Sequence, residues 1–186
     1  MKRTLIYLIF VLITQVAFGQ DFSNSVLIED RLYHLYRFTA PNNWVLENTE
    51  KKIEVAFGAT TAKFFEQGTN INDGAEIIVN TTILEEKGYS TLDDWIKRDT
   101  INFKKNNVFE ITDAMDILID DRDSATCVLL KGVSIDLFMA LAYIDAGKTG
   151  IQIWMLSKSK EGFYNSLNAF ESLVKSYSII ETLIME

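Results

Sequence analysis

The chain has one cysteine, one histidine and one proline in 186 residues, and each shortage closes a class of chemistry. A lone Cys127 cannot form an internal disulfide, so the core must supply the stability that small exported domains often take from bridges. One histidine and one cysteine fall short of the ligand count of a Cys/His zinc site. A thiol nucleophile would want a cation beside it, and His34 lies in a different strand-like segment from Cys127. With only Pro41, no Pro-rich linker divides the chain, and no repeat or low-complexity tract does so either. Basic residues are also scarce, 18 against 26 acidic ones.

The one long apolar run sits at the start, in "MKRTLIYLIFVLITQVAFGQ". Lys2 and Arg3 form a basic n-region, Thr4 to Val16 an apolar stretch, and Ala17-Phe18-Gly19 a small-x-small cleavage site, so residues 1 to 19 read as a signal peptide. The apolar stretch falls short of the ~20 residues that span a bilayer, and no basic stop-transfer cluster follows. No cysteine lies near the cleavage point, which excludes a lipid anchor on the mature N-terminus. The expected location is periplasmic or extracellular, with no stable membrane span after signal removal. Cleavage takes away Lys2 and Arg3 and no acid, leaving 16 basic against 26 acidic residues, a net of −10. Phosphate backbones and anionic lipids repel such a chain unless a basic patch is segregated. The longest basic run is a pair, as at Lys51-Lys52 or Lys104-Lys105, so nucleic acid is excluded as a partner. Residues 20 to 186 suit one domain able to bury most of its apolar surface.

Two stretches mimic functional motifs. "LIDDRDSATCVLLKG", Leu118 to Gly132, gathers acids ahead of the cysteine, but a calcium loop needs a glycine to turn it and a downstream bidentate glutamate, and "DDRD" has neither. Asp forms turns because its side chain bonds its own backbone, so the stretch reads as a hairpin turn followed by a strand, with Cys127 a small apolar strand residue. "AGKTG", Ala146 to Gly150, ends like a phosphate loop. The first glycine of that motif should stand where the chain has Ala142, and a strand follows instead of a helix. "DAGKTG" is therefore the connection of a hairpin between "FMALAYI" and "IQIWMLS".

Apolar, β-branched and aromatic residues dominate "RLYHLYRFT", "KIEVAFGAT", "AEIIVNTTIL", "VFEITDAMDIL", "ATCVLLKG", "FMALAYI" and "IQIWMLS", which predicts six or seven strands. Ile77, Val79, Thr81 and Ile83 take one face, and Ile78, Asn80, Thr82 and Leu84 the other. Both faces carry apolar groups, so the sheet is expected to be covered on both sides. "STLDDWIKRDTINFKKN" predicts a helix, with Ser90 and Asp93 in capping-box-like spacing and Leu92, Trp95, Ile96 and Phe103 towards one side. "EGFYNSLNAFESLVKSYSII" predicts a second, with Phe163, Leu167, Phe170, Leu173, Val174 and Tyr177 at helical spacing.

"YRFTAPNNWVL", the helix after "STLDDW", the hairpin at "DAGKTG" and the closing "FYNSLNAFESLVKSYSI" together resemble the PsbP-like and DcrB-like families over roughly Leu32 to Ile180. Those families open with a strand running into a Pro-x-x-Trp turn and close on a helix ending in Ser-Phe or Ser-Tyr. Members often have glycine before the tryptophan. Asn43 stands there in this chain, the next best residue for a left-handed conformation. The resemblance implies an α+β fold, a mainly antiparallel six- to seven-stranded sheet with helices packed on both faces. It implies binding or assembly rather than catalysis, and no catalytic residue, cofactor or metal set carries over.

Trp44, Trp95 and Trp154 are the candidate partner-binding residues: exposed together they would make an aromatic platform, while the plainer alternative packs each as a core cap. Three functions compete. The first is an exported, non-enzymatic module binding a protein partner or a small apolar ligand. The second is a carboxylate-based hydrolase drawing a pair from Glu54, Glu66, Asp73 and Glu76. The third is a structural component of a secretion or motility complex.

Overall fold

The computed structural model describes residues 25–29, 34–47, 61–106, 108–119 and 123–182. In chain order the strands are β1 (Ser25–Glu29), β2 (His34–Thr39), β3 (Trp44–Leu46), β4 (Thr61–Glu66), β5 (Glu76–Ile83), β6 (Phe109–Leu118), β7 (Ser124–Gly132), β8 (Phe138–Ala146), β9 (Thr149–Ser157) and β10 (Ser178–Thr182). Helix α1 (Leu92–Asn106) joins β5 to β6, and α2 (Lys160–Lys175) joins β9 to β10. The fold is α+β. Seven strands form an antiparallel sheet in the order β3-β4-β5-β9-β8-β7-β6, and three more form a second sheet, β1-β2-β10.

Several expectations shift. Within "RLYHLYRFT" the described residues His34–Thr39 do form a strand, but it pairs with β1 and β10 in the smaller sheet rather than joining the larger one. "KIEVAFGAT" and Glu54 lie outside the described residues. The closing helix stops at Lys175, five residues short of the expected Ile180. Ser176 is the reason: its hydroxyl donates to the Leu173 carbonyl at 2.7 Å and accepts from the Thr39 N–H at 2.9 Å. A serine that bonds local backbone offers the chain an alternative to another helical turn, and the β-branched Ile179 and Ile180 then favour a strand. Helix α1 is capped one residue later than expected, by Thr91 Oγ1 accepting from the Asp94 N–H at 3.2 Å.

The turns follow their sequence signals. Trp44 donates its N–H to the Pro41 carbonyl at 3.0 Å, and Asn43 holds φ at 65°, the left-handed conformation that its short polar side chain tolerates. Gly147, at φ 78°, turns the β8–β9 hairpin between Ala146 and Thr149, and its N–H is bound by Asp145 Oδ1 at 2.8 Å. Ser159 caps α2 by accepting from the Gly162 N–H.

Buried side chains fall into two clusters, divided by the alternation along the strands. Ala140, Ala142 and Ile144 of β8 join Ile77, Val79, Ile153 and Met155, with Phe163, Phe170, Leu173 and Val174 of α2 and Ile28, Tyr36 and Phe38 of the smaller sheet. The intervening Met139, Leu141 and Tyr143 join Leu84, Val128 and Leu130, with Leu92 and Trp95 of α1. Neighbouring residues in a strand point to opposite faces, so β8 serves both clusters and has almost no exposed side chain.

Candidate functional site

Trp44 and Trp95 are buried, at 5% and 7% exposure, and Trp154 is half-buried. The structure does not bring all three together. Trp44 belongs to the cluster that holds α2, whereas Trp154 packs with Trp95 against the cluster that holds α1.

The second pair sits beside an acid that the sequence reading passed over. On α1, Leu92, Trp95, Ile96 and Phe103 make the apolar stripe, and Asp99 stands within it, four residues from both Trp95 and Phe103. On the sheet below, Tyr143 and Gln152 are cross-strand partners. The Tyr143 hydroxyl donates to Asp99 Oδ2 at 2.8 Å and the Gln152 amide donates to the same oxygen at 3.0 Å. The Trp154 indole N–H in turn donates to Gln152 Oε1 at 2.7 Å. Burial raises the Asp99 pKa above the ordinary 3.8, opposed by hydrogen bonds from Tyr143, Gln152 and Trp95 that favour the charged form. Burial and the neighbouring carboxylate raise the Tyr143 pKa, which keeps its hydroxyl a donor. The arrangement ties α1 to β8 and β9. The signal was present: a carboxylate at a core-facing helical position needs partners.

Trp95 extends the same layer. It stacks on Tyr89 at 5.7 Å and meets Tyr143 edge-on at 5.8 Å, while Arg98 lies 4.9 Å over the Tyr89 ring and donates to the Gly88 carbonyl at 3.0 Å. A Cβ at Gly150 would come within 2.6 Å of the Trp95 ring, so glycine there lets the indole seat on the hairpin.

Cys127 is 1% exposed in β7, and burial pushes its pKa up to about 12, so the thiol is protonated at neutral pH. His34 falls in β2, in the other sheet. A maleimide or aromatic disulfide reagent is therefore expected to leave Cys127 untouched in the native protein and to modify it fully in denaturant. Stoichiometric labelling of the folded chain at neutral pH would contradict this environment. Of the carboxylates considered for hydrolysis, Glu76 is paired with Lys63 at 2.7 Å, and Asp73 is exposed and accepts from Asn70 at 3.1 Å. The turn acids Asp120 and Asp121 and Arg122 lie outside the described residues, but the hairpin they belong to closes, with the Ile119 N–H donating to the Asp123 carbonyl at 2.9 Å. Among the described residues no group of three or more His, Cys, Asp and Glu side chains could hold a metal ion, and no helix is long and apolar enough to cross a membrane.

The most open feature is β6. This ten-residue strand closes one end of the seven-stranded sheet and pairs only with β7 among the described strands. Glu110, Thr112, Asp113, Ala114, Met115, Asp116 and Leu118 are exposed along it. Natural edge strands are more often short or covered.

A sheet of seven antiparallel strands with an inserted and a closing helix defines the class, and solved structures define it further. The chain has the PsbP/Mog1-like fold. The solution structure of cyanobacterial PsbP from Synechocystis matches with a TM-score of 0.54 at 13% identity, over 87% of this chain and 96% of that one. The Saccharomyces cerevisiae Ran-binding protein Mog1p matches at 0.50 and 13% identity, over 86% and 97% of the two chains. A Bacteroides thetaiotaomicron protein matches at 0.51 and 8% identity, over 85% of this chain and 48% of that one. No family model and no curated protein sequence matches the chain.

Proposed function

We propose that the chain is an exported, non-enzymatic protein-binding module whose contact surface is the β6 edge. The exposed length of β6 carries the reading: a long edge presents a row of backbone donors and acceptors to another protein. The sheet faces are a poorer offer. On this reading α1 and α2 cover opposite faces, which the division of alternate β8 residues between the two clusters supports. That a protein of the same fold is described as Ran-binding agrees with a binding role. Export rests on the n-region, apolar stretch and cleavage site of residues 1 to 19, and the Gly19-Gln20 junction resembles export signals common in Bacteroidota. The mature protein is then a single domain of residues 20 to 186.

Two measurements test the proposal. N-terminal sequencing of the secreted or periplasmic protein is expected to begin at Gln20, and recovery of the chain in the membrane fraction with residues 1 to 19 retained would overturn the export reading. A photo-crosslinking amino acid at Met115 on β6 is expected to trap a protein in intact cells, whereas the same group at Leu46, on the opposite edge of the sheet, is not. Equal trapping from both positions, or none from either, removes the case for β6.

A further inference from the structure

We propose that β6 takes up an extended, lysine- or arginine-rich segment of its partner as an added strand along Met115 to Leu118; this deepens the protein-binding reading and rests on it. The argument begins with the direction of the backbone groups. The Ile119 N–H donates to Asp123, across the hairpin, so residues of the same parity, Asp113, Met115 and Ile117, turn their backbone groups towards β7. Those of Ala114, Asp116 and Leu118 then point away from the sheet. The Ala114 N–H bears this out, because it is bound by Asp113 Oδ1 at 2.8 Å.

The edge is not uniform. The register shifts between Ile111 and Asp113, a bulge at Thr112, and this with the Asp113 bond blunts the first half of β6 against pairing. From Met115 onward there is no such device among the described residues, and Met115 and Leu118 are 42% and 62% exposed. The open stretch therefore combines outward backbone groups with apolar side chains. A partner strand would find main-chain hydrogen bonds for affinity and side-chain contacts for choice.

Charge decides the occupant. Glu110, Asp113 and Asp116 are exposed on β6. Some of this charge is answered: Lys131 stands opposite Glu110, and Thr126 donates to Asp116 at 3.3 Å. Asp113 and Asp116 have no cation within ion-pair distance among the described residues. A second copy laid against this edge would bring the acids of two β6 strands together on mature chains that each carry a net −10. A cationic strand is attracted by the same groups.

The test uses the mature chain with a synthetic peptide of alternating lysine and valine and its glutamate-valine counterpart. The cationic peptide is expected to bind, to slow amide hydrogen exchange at Asp116 and Leu118, and to weaken as salt rises; the acidic peptide is expected not to bind. Leu118→Pro removes an outward N–H without breaking the β7 ladder, so it should leave the melting temperature nearly unchanged and weaken peptide binding by roughly tenfold or more. Asp113→Asn with Asp116→Asn should flatten the salt dependence. Absence of cationic-peptide binding overturns the proposal. So does binding that Leu118→Pro leaves intact, which would mean attraction without strand addition. A concentration-dependent dimer lost in Leu118→Pro would make the occupant a second copy. A cellular partner crosslinked from Met115 but unaffected by Leu118→Pro would overturn strand addition while the binding reading stands.

Discussion

Replacing Phe170 by alanine is expected to lower the unfolding free energy by about 3 to 5 kcal/mol. Phe170 is 1% exposed at the middle of the α2 stripe, between Phe163 and the Leu173–Val174 pair, all in one cluster with Ile77, Val79, Ile153 and Met155. In register, Val79 faces Ile153 and Ile153 faces Ala142, while Ile77 faces Met155 and Met155 faces Ala140. The small Ala140 and Ala142 make room beneath the helix for its rings, and truncating one of them leaves a void in a close-packed interior. The loss is a large share of the roughly 5 to 15 kcal/mol that holds a domain together. Equilibrium denaturation of the purified variant measures it, and the melting temperature should fall by roughly 10 °C. Phe170→Leu keeps most of the volume and should cost less than about 1.5 kcal/mol. A melting temperature of Phe170→Ala unchanged within a degree would mean that α2 presents this stripe to something other than the sheet.

Asp99→Ala is expected to cost about 2 to 4 kcal/mol, because it strips the shared acceptor from the Tyr143 hydroxyl and the Gln152 amide while leaving both donors in place. Asp99→Asn keeps an oxygen for them and should cost far less. The two variants also differ from the parent in pH dependence. The folded-state pKa of Asp99 is raised, so the ionised carboxylate is less at ease in the folded protein than in the unfolded chain. Its favourable contribution is therefore complete below the ordinary carboxylate pKa of 3.8 and declines as pH rises through the higher folded value. The stability of the parent relative to Asp99→Asn should grow on acidification across that window. Parallel chemical denaturation series at several pH values would show it, and a difference that shrinks as pH falls would mean that hydrogen bonding to the carboxylate outweighs its burial.

What was legible in the sequence was legible for local reasons. Gly147 and Asp145 mark a two-residue hairpin whatever surrounds them, and the stripe of α2 repeats every three or four residues through Val174. Strands β5 to β9 announce themselves by long apolar and β-branched runs. The three-residue β3 and the charged-ended β4, "TAKFFE", are too short or too mixed to stand out, and they become strands through pairing with each other and with β5. Ser178–Thr182 was hidden behind the end of the α2 periodicity, since Tyr177 continues the helical spacing even though the helix has stopped. Its ring is buried against Tyr36 and Phe38, at 6.0 and 5.7 Å, from outside the helix.

The candidate sites divide the same way. That Cys127 is a strand residue without a histidine neighbour followed from counting one of each and from the β-rich run around it. The meeting of Asp99 with Tyr143 and Gln152, residues separated by 44 and 53 positions, required the sheet order and the seating of α1, which no local pattern encodes. The exposure of β6 was equally invisible. "VFEITDAMDIL" reads as a strand without saying where in the sheet it lies, and the absence of a second described neighbour makes it an edge. By itself the sequence determined most of the strands and both helices, the hairpins, the helical faces and the poverty of thiol, imidazole and cationic chemistry, because these depend on residue type and short-range spacing. Which strands lie side by side, which acid is half-buried and which backbone groups face outward were decided by tertiary structure, because hydrogen-bond pairing and desolvation act between residues far apart in the chain.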